Sequence, residues 1–478
     1  MPADVGHVRS WWLREALRDP AFEGEPCPPL RGDRAADVVI LGGGYTGMWT
    51  AFFVKERDPS ADVVLLEADI CGGGPSGRNG GFVNSWWSGV DELCERFGDE
   101  AARALCVAGS ESVEAIGAFC AEHDIDAWFT RKGDIGVATS AATIGDWEPL
   151  VESVERLGMP EILGVLSREE LRTRCDSPTF LGGVIDHEAA TVQPARLARG
   201  LRRVLLERGV RIYEKTPVVR FGAGKTAVAE APGGSVRAGS AVIALNAWAA
   251  AWKRFRRLVT VRGSYIVLTA AAPERLEAIH WTGGEGIWDF RSSLHYLRTT
   301  PDGRIAFGIG GMQPGLARRI GPRFAFDERA VRICTEDLYR MFPTFRDVPI
   351  EAAWGGPIDV AGLHVPFFGS LGAGNVHYGL GYTGNGVAPC HLGGRILAAL
   401  SLGADEPSLL ELPVVREQPL AFPPQPILSP GALIANEAIR RKDDAEDRGE
   451  RPGPLVDFVA RLPRRLGYNL GPSSEKGS

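Results

Sequence analysis

Residues 36–67 read ADVVILGGGYTGMWTAFFVKERDPSADVVLLE. The apolar run at 36–41 ends at a glycine and has the length and composition of a buried parallel strand. Residues 48–55 have helical length, and a second apolar run occupies 63–66. The stretch therefore predicts a strand, a helix and a second strand in one parallel unit.

The glycines between the first strand and the helix fit the pattern GxGxxG. Gly42 permits the tight turn, Gly44 lets the backbone approach a pyrophosphate, and Gly47 lets the helix pack closely on the strand. Glu67 ends the second strand about 20 residues further on, where a carboxylate accepts a hydrogen bond from a ribose hydroxyl. With strand, helix and acid in register, the pattern predicts a dinucleotide site rather than a structural turn.

The chain contains two further glycine-rich stretches. Residues 71–81, CGGGPSGRNGG, come soon after a loop that would already suffice for one nucleotide. The GxGxxG pattern also recurs at 379–384, with Asp405 at a plausible distance beyond it. No apolar strand precedes Asp405 and the chain beyond it is rich in proline, so a second βαβ unit does not fit. We interpret the helix expected at about 388–400 as presenting its N-terminal amides to the first nucleotide.

The composition is that of an ordinary globular protein, with 478 residues, 44% hydrophobic residues and a net charge of −7. An acidic chain without a basic stripe argues against nucleic-acid and anionic-membrane partners. The longest apolar run, at 241–252, is too short to span a membrane, and the N-terminus lacks the order of a secretory signal. Eight scattered cysteines without a CxxC pair predict reduced thiols in the cytoplasm and no metal site.

The order of these patterns predicts an α/β plus α+β protein. We expect a Rossmann-type nucleotide-binding domain built from separated segments, with an inserted antiparallel-sheet substrate domain. The Pro-Asp-Gly at 301–303 is a hairpin turn between alternating strands. The nucleotide-binding domain is expected at 30–88, 181–250 and 350–410, the substrate domain at 89–180 and 251–349, and a surface strap and tail at 411–478. We expect the last residues of the tail to be disordered.

Five motifs occur in order along the chain: GGGYTG with Glu67, GPSGRNGG at 74–81, YLRTTPDGRIAFG at 296–308, WGGPI at 354–358 and GYTGNGV at 381–387. Together they resemble the D-amino-acid-oxidase-like family of FAD-dependent amine and amino-acid oxidoreductases. The SGRNGG loop is similar to that of the γ-glutamylputrescine-oxidoreductase-type subgroup. The resemblance covers most of the chain, and it implies that the second glycine loop runs past the pyrophosphate toward a flavin.

The resemblance also implies which residues contact FAD. The pyrophosphate would be held by Gly42, Gly44, Tyr45, Thr46 and Gly47, and the adenosine ribose by Glu67 and Ala68. The loop beside the pyrophosphate and isoalloxazine would comprise Ser76, Gly77, Arg78, Asn79, Gly80, Gly81 and Phe82. Val218 would lie at the adenine, Asn246 near the cofactor, and Gly384, Asn385, Gly386 and Val387 at the pyrimidine edge, where reduced flavin carries negative charge.

The expected mode of cofactor attachment rests on one departure from the family. Some relatives carry a flavin-linking histidine at the position of Arg78, so we expect noncovalently bound FAD. Cys71 and Cys390 lie near the two loops, and we expect both to be buried and inert rather than bonded to the flavin.

The substrate side is less determined by the sequence. Arg298 falls approximately where relatives bind a substrate carboxylate with an arginine, because a guanidinium pairs with a carboxylate bidentately. The alternative is an exposed or structurally paired arginine. The aromatic residues that either wall the site or pack in the core are Tyr265, Tyr296, Trp354, Tyr382 and the pair Trp86-Trp87.

We expect an enzyme that oxidises a C–N bond of a small amine or amino acid to an imine, which water then hydrolyses. Oxygen is the expected acceptor, giving hydrogen peroxide, and a dehydrogenase that uses another acceptor is the alternative. A monooxygenase driven by NAD(P)H is disfavoured because a second βαβ unit is missing. A non-catalytic or tRNA-modifying flavoprotein is disfavoured by the acidic charge.

Overall fold

The computed structural model describes residues 8–315 and 319–468. The strands are β1 (Arg34–Leu41), β2 (Val63–Leu66), β3 (Phe82–Val83), β4 (Asp134–Val137), β5 (Leu163–Leu166), β6 (Gly183–Asp186), β7 (Ala190–Thr191), β8 (Arg211–Tyr213), β9 (Arg220–Gly222), β10 (Ala227–Ala231), β11 (Gly234–Ile243), β12 (Val259–Thr269), β13 (Gly286–Asp289), β14 (His295–Thr299), β15 (Ile305–Pro314), β16 (Ile350–Ala361), β17 (Phe367–Leu371) and β18 (Val376–Leu380).

The helices are α1 (Trp11–Ala16), α2 (Pro20–Glu23), α3 (Tyr45–Arg57), α4 (Val90–Phe97), α5 (Asp99–Glu122), α6 (Glu148–Arg156), α7 (Arg168–Arg174), α8 (Pro194–Glu207), α9 (Pro273–Ala278), α10 (Glu328–Met341), α11 (Val387–Leu402), α12 (Pro407–Leu410), α13 (Pro413–Arg416), α14 (Leu428–Asp447) and α15 (Pro454–Arg465). The expected disorder of the last tail residues concerns positions beyond 468 and lies outside the described residues.

The predicted strand, helix and strand unit is confirmed as β1, α3 and β2. These strands belong to an eight-stranded sheet with the order β17-β18-β11-β1-β2-β8, and β10 and β9 extend it from β11. The pairs β1–β11, β1–β2, β2–β8 and β11–β18 are parallel. All four residues of β2 are buried, which explains why the strand reads as an uninterrupted apolar run.

A second eight-stranded sheet has the order β16-β12-β15-β14-β13-β4-β6-β5. Its neighbours are antiparallel except for β13 and β4. The hairpin predicted at 301–303 is confirmed, because it joins β14 to β15 and the Thr300 amide donates to the Arg304 carbonyl at 3.0 Å. The two sheets agree with the predicted fold class.

Two strands join a different sheet from the one that the expected boundaries imply. β6 lies in segment 181–250 but pairs with β4 and β5, and β16 lies in segment 350–410 but pairs with β12 along its whole length. Both strands are mostly buried and apolar, so their periodicity does not reveal which sheet they join. The division of the chain into domains otherwise remains a prediction.

The segment beyond residue 411, expected as a surface strap and tail, forms the helices α13, α14 and α15 in its described part. α14 packs against β15 and buries Ala435 and Ala438, which are three residues apart and therefore share one helix face. α15 packs on α14 and buries none of its own residues. Helix α14 therefore covers part of the second sheet, and α15 lies on α14.

Helix α5 is the one described helix that is long and apolar enough to cross a membrane. Half of its most apolar window is buried inside the fold. It packs against α4 and α11, and Leu105, Val113 and Ile116 on it are fully buried. This burial is the pattern of a core helix.

Candidate functional site

A cavity of about 1380 Å³ lies between the two sheets. Its wall includes Leu41 and Leu66 at the carboxyl ends of β1 and β2, and Ser264 and Tyr296 of the second sheet. In open α/β sheets, ligands bind outside the carboxyl ends of the strands. The cavity exceeds the roughly 300–1,000 Å³ of ordinary small-molecule pockets, so it has room for a dinucleotide and a second ligand.

The first glycine loop presents a helix N-terminus to this cavity. Gly44 is the N-cap of α3, and the first turn of the helix carries no acidic residue. A Cβ on Gly44 would meet only the Ser76 hydroxyl, at 3.1 Å, so the space in front of this glycine is open. A Cβ on Gly47 would lie 2.0 Å from the Gly42 carbonyl oxygen. Gly44 therefore faces the cavity, whereas Gly47 permits close packing of the helix on the strand.

Glu67 lies at the cavity with its carboxylate already oriented. Its Oε2 accepts a hydrogen bond from the Gly43 amide and its Oε1 one from the Asp69 amide, both at 2.7 Å. Burial raises the pKa of the Glu67 carboxyl to about 7, although these two amides act in the opposite direction. Each carboxylate oxygen keeps a free lone pair, so the pair can still accept from ribose hydroxyls.

The second glycine loop is shaped by its own side chains. The Asn79 amide group donates to the Pro75 carbonyl at 3.1 Å, and its Oδ1 accepts from the Gly81 amide at 2.7 Å. The Arg78 guanidinium donates to the Gly73 carbonyl at 3.0 Å and to the Val8 carbonyl at 2.7 Å. Burial lowers the pKa of Arg78 to about 10. Arginine and asparagine therefore fix the conformation of the bare backbone around them.

A buried aspartate that sequence reasoning missed supports the third loop. Asp359 on β16 accepts from the Gly381 amide at 2.5 Å and from the Asn246 side-chain amide at 2.8 Å. The Thr383 amide donates to the Asp359 carbonyl at 2.9 Å. Burial raises the pKa of the Asp359 carboxyl to about 6. The signal available in the sequence was an aspartate within the largely apolar second half of β16.

The third loop leads into a second helix N-terminus at the cavity. Gly386 is the N-cap of α11, and again the first turn carries no acidic residue and no side-chain cap. Two helix N-termini thus face one cavity, and both carry partial positive charge from their amides. This donor set fits an anionic dinucleotide: glycine backbone and helix termini suit the pyrophosphate, and Glu67 suits the ribose.

The structure brings most of the sequence-predicted cofactor residues together. Those that line the cavity are Gly42, Gly44, Tyr45, Thr46, Glu67, Ala68, Ser76, Arg78, Asn79, Gly80, Phe82, Val218, Asn246, Gly384, Asn385, Gly386 and Val387. Gly47, Gly77 and Gly81 lie behind the wall. A Cβ on Gly77 would lie 2.2 Å from the Gly72 carbonyl oxygen, and one on Gly81 would lie 2.1 Å from that of Val192, so these glycines permit close backbone packing.

Arg298 does not line the cavity, and its position does not support the expected contact with a substrate carboxylate. Its Nη1 donates to the carbonyls of Val192 and Gly81, and its guanidinium lies 5.7 Å from the Trp12 ring centroid. Burial lowers its pKa to about 9. Arg298 is on the same face of β14 as Tyr296 but about 7 Å further along the strand. There its side chain contacts the backbone of Gly81 and Val192 instead of the cavity. Of the two alternatives for Arg298, this position fits the structurally paired arginine rather than the carboxylate-binding one.

Of the four residues expected to act on the substrate, Arg298, Tyr265, Trp354 and Tyr382, only Tyr382 lines the cavity. Tyr265 is buried and donates from its hydroxyl to the Arg323 carbonyl at 2.9 Å. Trp354 is also buried, and its Nε1 donates to the Arg78 carbonyl at 2.8 Å. Trp354 therefore supports the second glycine loop from behind. Trp86 lines the cavity, whereas Trp87 is fully buried.

The part of the cavity wall that the second sheet forms holds Arg262, which sequence reasoning missed, and Ser264, both on β12. Tyr296 joins them, and its hydroxyl lies 2.6 Å from the Ser264 Oγ. A Cβ on Gly80 would lie 2.8 Å from the Tyr296 ring, so this wall adjoins the second glycine loop. Arg262 is 8% exposed, and burial lowers its pKa to about 10. An arginine inside an apolar strand was the signal available in the sequence.

Arg262 lacks a carboxylate partner within the part of the chain that the structure describes. Its Nη2 donates to the Asn436 Oδ1, and no described Asp or Glu lies within ion-pair distance. Most other buried arginines differ: Arg291 pairs with Asp447 at 3.0 Å, and Arg196 pairs with Glu15 at 2.6 Å. The cavity wall thus presents a buried positive charge that the protein itself does not neutralise.

Comparisons with known proteins agree with this site. The model of the family described as FAD-dependent oxidoreductases (DAO) matches residues 37–400. Gamma-glutamylputrescine oxidoreductase of Escherichia coli K12 is 30% identical over 403 residues, 84% of this chain and 90% of that protein. The probable oxidoreductase OrdL of Rhizobium meliloti is 31% identical over 402 residues, 82% of this chain and 88% of that protein.

Two solved structures share the fold. Glycine oxidase from Geobacillus kaustophilus superposes with a TM-score of 0.66 at 20% identity, over 80% of this chain and 100% of that one. L-proline dehydrogenase from P. horikoshii superposes with a TM-score of 0.63 at 19% identity, over 80% and 96%. The family match spans the glycine loops, Glu67 and the helix N-terminus of α11. The chain therefore belongs to the D-amino-acid-oxidase-like family of FAD-dependent oxidoreductases, in the γ-glutamylputrescine-oxidoreductase-type subgroup, and its cofactor is FAD.

Proposed function

We propose that this enzyme oxidises the C–N bond of an amine that also carries a carboxylate, giving an imine that water hydrolyses to a carbonyl compound. The observation that carries the proposal is Arg262, a buried guanidinium at the cavity wall without an ion-pair partner among the described residues. The names of the relatives, which include a γ-glutamylputrescine oxidoreductase and a glycine oxidase, support an amine or amino acid as the substrate.

The electrostatics of the wall support a carboxylate as the group that Arg262 binds. Holding a charge away from water is costly unless an opposite charge or strong hydrogen bonds compensate it. A carboxylate supplies both, because it accepts two parallel hydrogen bonds from one guanidinium. Binding of such a substrate would thus relieve the cost that the lowered pKa of Arg262 reflects.

The neighbouring residues would orient the substrate and exclude water. Trp86, Trp288, Phe290 and Leu294 give this end of the cavity an apolar lining, and Tyr296 adjoins Gly80 of the second glycine loop. Bound FAD supplies the acceptor for the hydride that leaves the carbon next to nitrogen. The protein contributes position, since a substrate held at its carboxylate has fewer orientations to lose before reaction.

We propose oxygen as the final acceptor and the cytoplasm as the location. The second GxGxxG sequence leads into α11, and no strand comes after that helix within the described chain, which speaks against an NAD(P)H unit. All eight cysteines are free and buried, which supports a reducing compartment.

The test is a hydrogen-peroxide screen of amines in matched pairs, each amino acid beside its decarboxylated or amidated counterpart. Anaerobic bleaching of the flavin is monitored in parallel, so that a dehydrogenase is detected as well. We expect the carboxylate-bearing member of a pair to react, and Arg262→Met to remove this preference. Equal turnover within each pair would contradict the carboxylate proposal, and bleaching by NADPH alone would favour the monooxygenase.

We also propose that the flavin is held without a covalent bond. Arg78 occupies the position of the linking histidine and is engaged with backbone carbonyls. Burial raises the pKa of the Cys390 thiol to about 12, so the thiol that lines the cavity is not ionised at neutral pH. Acid precipitation should release the yellow colour into the supernatant. A pellet that stays yellow after washing would show a covalent link.

A further inference from the structure

Helix α14 contacts Arg262 in the cavity wall formed by Arg262, Ser264 and Tyr296, although this helix lies outside the segment that the family model matches, residues 37–400. Asn436 on this helix contacts two residues of the second sheet. Its Oδ1 accepts from the Arg262 Nη2, and its Nδ2 donates to the Gly311 carbonyl at 3.0 Å. One amide therefore bridges the unpaired guanidinium and the neighbouring strand.

Gly311 makes room for this arrangement. Its φ of +72° is a conformation that favours glycine, and a Cβ there would lie 3.2 Å from the Arg262 Nη1. The guanidinium is thus bounded by a side chain on the helix and by bare backbone on β15. Its remaining N–H groups are the ones available to the cavity that Arg262 lines.

The helix that carries Asn436 is anchored further along by a cluster of charges. Asp443 is 1% exposed, and its carboxylate accepts from the Ser293 amide at 2.9 Å. Asp447 pairs with Arg291 at 3.0 Å and with Arg340 at 3.1 Å. Buried partners of this kind fix a helix in one register, because separating either charge from its partner is costly. These contacts therefore fix the position of Asn436 relative to Arg262.

The choice of an amide at this position has an electrostatic consequence. A carboxylate at 436 would form an ion pair with Arg262 and cancel its charge at the cavity wall. The neutral amide orients the guanidinium through one hydrogen bond and leaves its charge for another anion. Asp447 on the same helix shows the contrast, because its carboxylate pairs with Arg291 and neutralises that arginine outside the cavity.

We propose that Asn436 is a positioning residue that orients Arg262 toward the carboxylate of the substrate, so that helix α14 helps to set substrate specificity. This inference rests on the carboxylate-binding role of Arg262 given under the proposed function. Asn436 acts through Arg262 and takes no part in the chemistry.

The test uses propionate, a carboxylate without an amine, titrated into the FAD-loaded enzyme and monitored through the flavin absorbance. Asn436→Asp should weaken propionate binding about tenfold, because the new carboxylate pairs with Arg262. Asn436→Ala should weaken propionate binding about threefold, because this variant only loses the hydrogen bond that orients Arg262. Ile434→Ala is the matched control, since Ile434 is on the same helix and 61% exposed. It should bind propionate like the wild type.

Kinetics with the amine found in the screen give a second readout. Both Asn436 variants should raise KM for the carboxylate-bearing substrate more than they lower kcat, and the effect should vanish for its amidated counterpart. Asn436→Asp should be the stronger of the two. A merely structural loss would instead lower kcat and the FAD content together for both substrates.

The outcomes distinguish the two proposals. If Arg262→Met weakens propionate binding but both Asn436 variants behave like Ile434→Ala, the role of Asn436 is wrong and that of Arg262 stands. If Arg262→Met also binds propionate normally, the carboxylate site itself is wrong. A wild-type enzyme whose flavin spectrum ignores propionate contradicts both.

Discussion

The sequence Gly-x-Gly-Tyr-Thr-Gly occurs twice in this chain, at 42–47 and at 379–384, and the two copies adopt different structures. In the first, the helix begins at Tyr45, so the Tyr-Thr-Gly is already helical. In the second, Thr383 and Gly384 have φ values of +53° and +90°, and the helix begins only at Val387. The same pattern therefore adopts a tight strand-to-helix turn in one place and an open loop in the other.

The elements downstream of each copy decide its role. The first copy leads through α3 into β2 and Glu67, which completes a parallel unit. The second leads through α11 into the helices α12 to α15, without a further strand in the described chain. The two copies also touch, because the Thr46 hydroxyl donates to the Tyr382 hydroxyl at 2.9 Å. The second copy thus completes the site of the first instead of forming its own.

The largest effect is expected in the first copy. Gly44→Val should weaken FAD binding more than about 100-fold, because its side chain would project into the open space before the helix N-terminus. The fold should survive, since the only nearby atom is the Ser76 hydroxyl. Flavin content and circular dichroism of the purified protein measure both effects. Gly222→Val, at a glycine with open space in β9, is the control, and a yellow Gly44→Val protein would refute the assignment.

In the second copy, Gly384→Ala should weaken FAD binding about tenfold. The cost is backbone strain of about 1–2 kcal/mol at a φ of +90°, since a Cβ there meets no atom closer than 3.5 Å. Fluorescence titration of the apoprotein with FAD gives the affinity. Gly403→Ala imposes similar strain at the far end of α11, so it should lower the melting temperature without changing the FAD affinity. Equal losses of affinity in both variants would mean that strain alone, rather than the loop, is responsible.

The affinity for FAD should depend on pH through Glu67, the carboxylate that the first copy leads to. With a raised pKa of about 7, this carboxyl is protonated below neutral pH and accepts ribose hydrogen bonds less strongly. The dissociation constant of FAD should therefore rise about fivefold between pH 8 and pH 6. The same titration on Glu67→Gln should be flat over this range. A slope that persists in the glutamine variant would place the titrating group elsewhere.

The smallest effect is expected where the two copies meet. Thr46→Val removes the hydrogen bonds from the Thr46 hydroxyl to the Tyr382 hydroxyl and the Cys390 Sγ. It should weaken FAD binding about twofold, because a neutral hydrogen bond at the low end of the usual range contributes about 0.5 kcal/mol. Thr50→Val, one turn further along α3, removes a bond to the Thr46 carbonyl that does not cross to the second copy. Isothermal calorimetry should resolve the difference. Identical FAD affinities in the two variants would show that the contact does not couple the loops.

The nucleotide site could be predicted from the sequence because its parts are local. Gly42, Gly44 and Glu67 lie in one strand, helix and strand unit, so spacing alone brings them together. The Ser76 to Phe82 loop was recognisable by its motif for the same reason. Its internal bonds, such as those of Asn79, join residues a few positions apart.

The substrate wall could not be predicted because strand pairing and a distant helix assemble it. Arg262 and Ser264 reach the cavity through the register of β12 with β15, and Asn436 reaches Arg262 across 174 positions of the chain. Arg298 has the expected residue type on the expected strand, but backbone carbonyls of Val192 and Gly81 occupy its guanidinium. Periodicity assigns a face to a residue and does not say which part of that face is open.

The residues that line the cavity come from nearly the whole described chain, from Leu41 to Tyr468. A ribosome therefore finishes the first glycine loop long before it adds the residues that close the other end. The complete wall exists only once those residues have been synthesised, so full enclosure of FAD requires nearly the whole described chain.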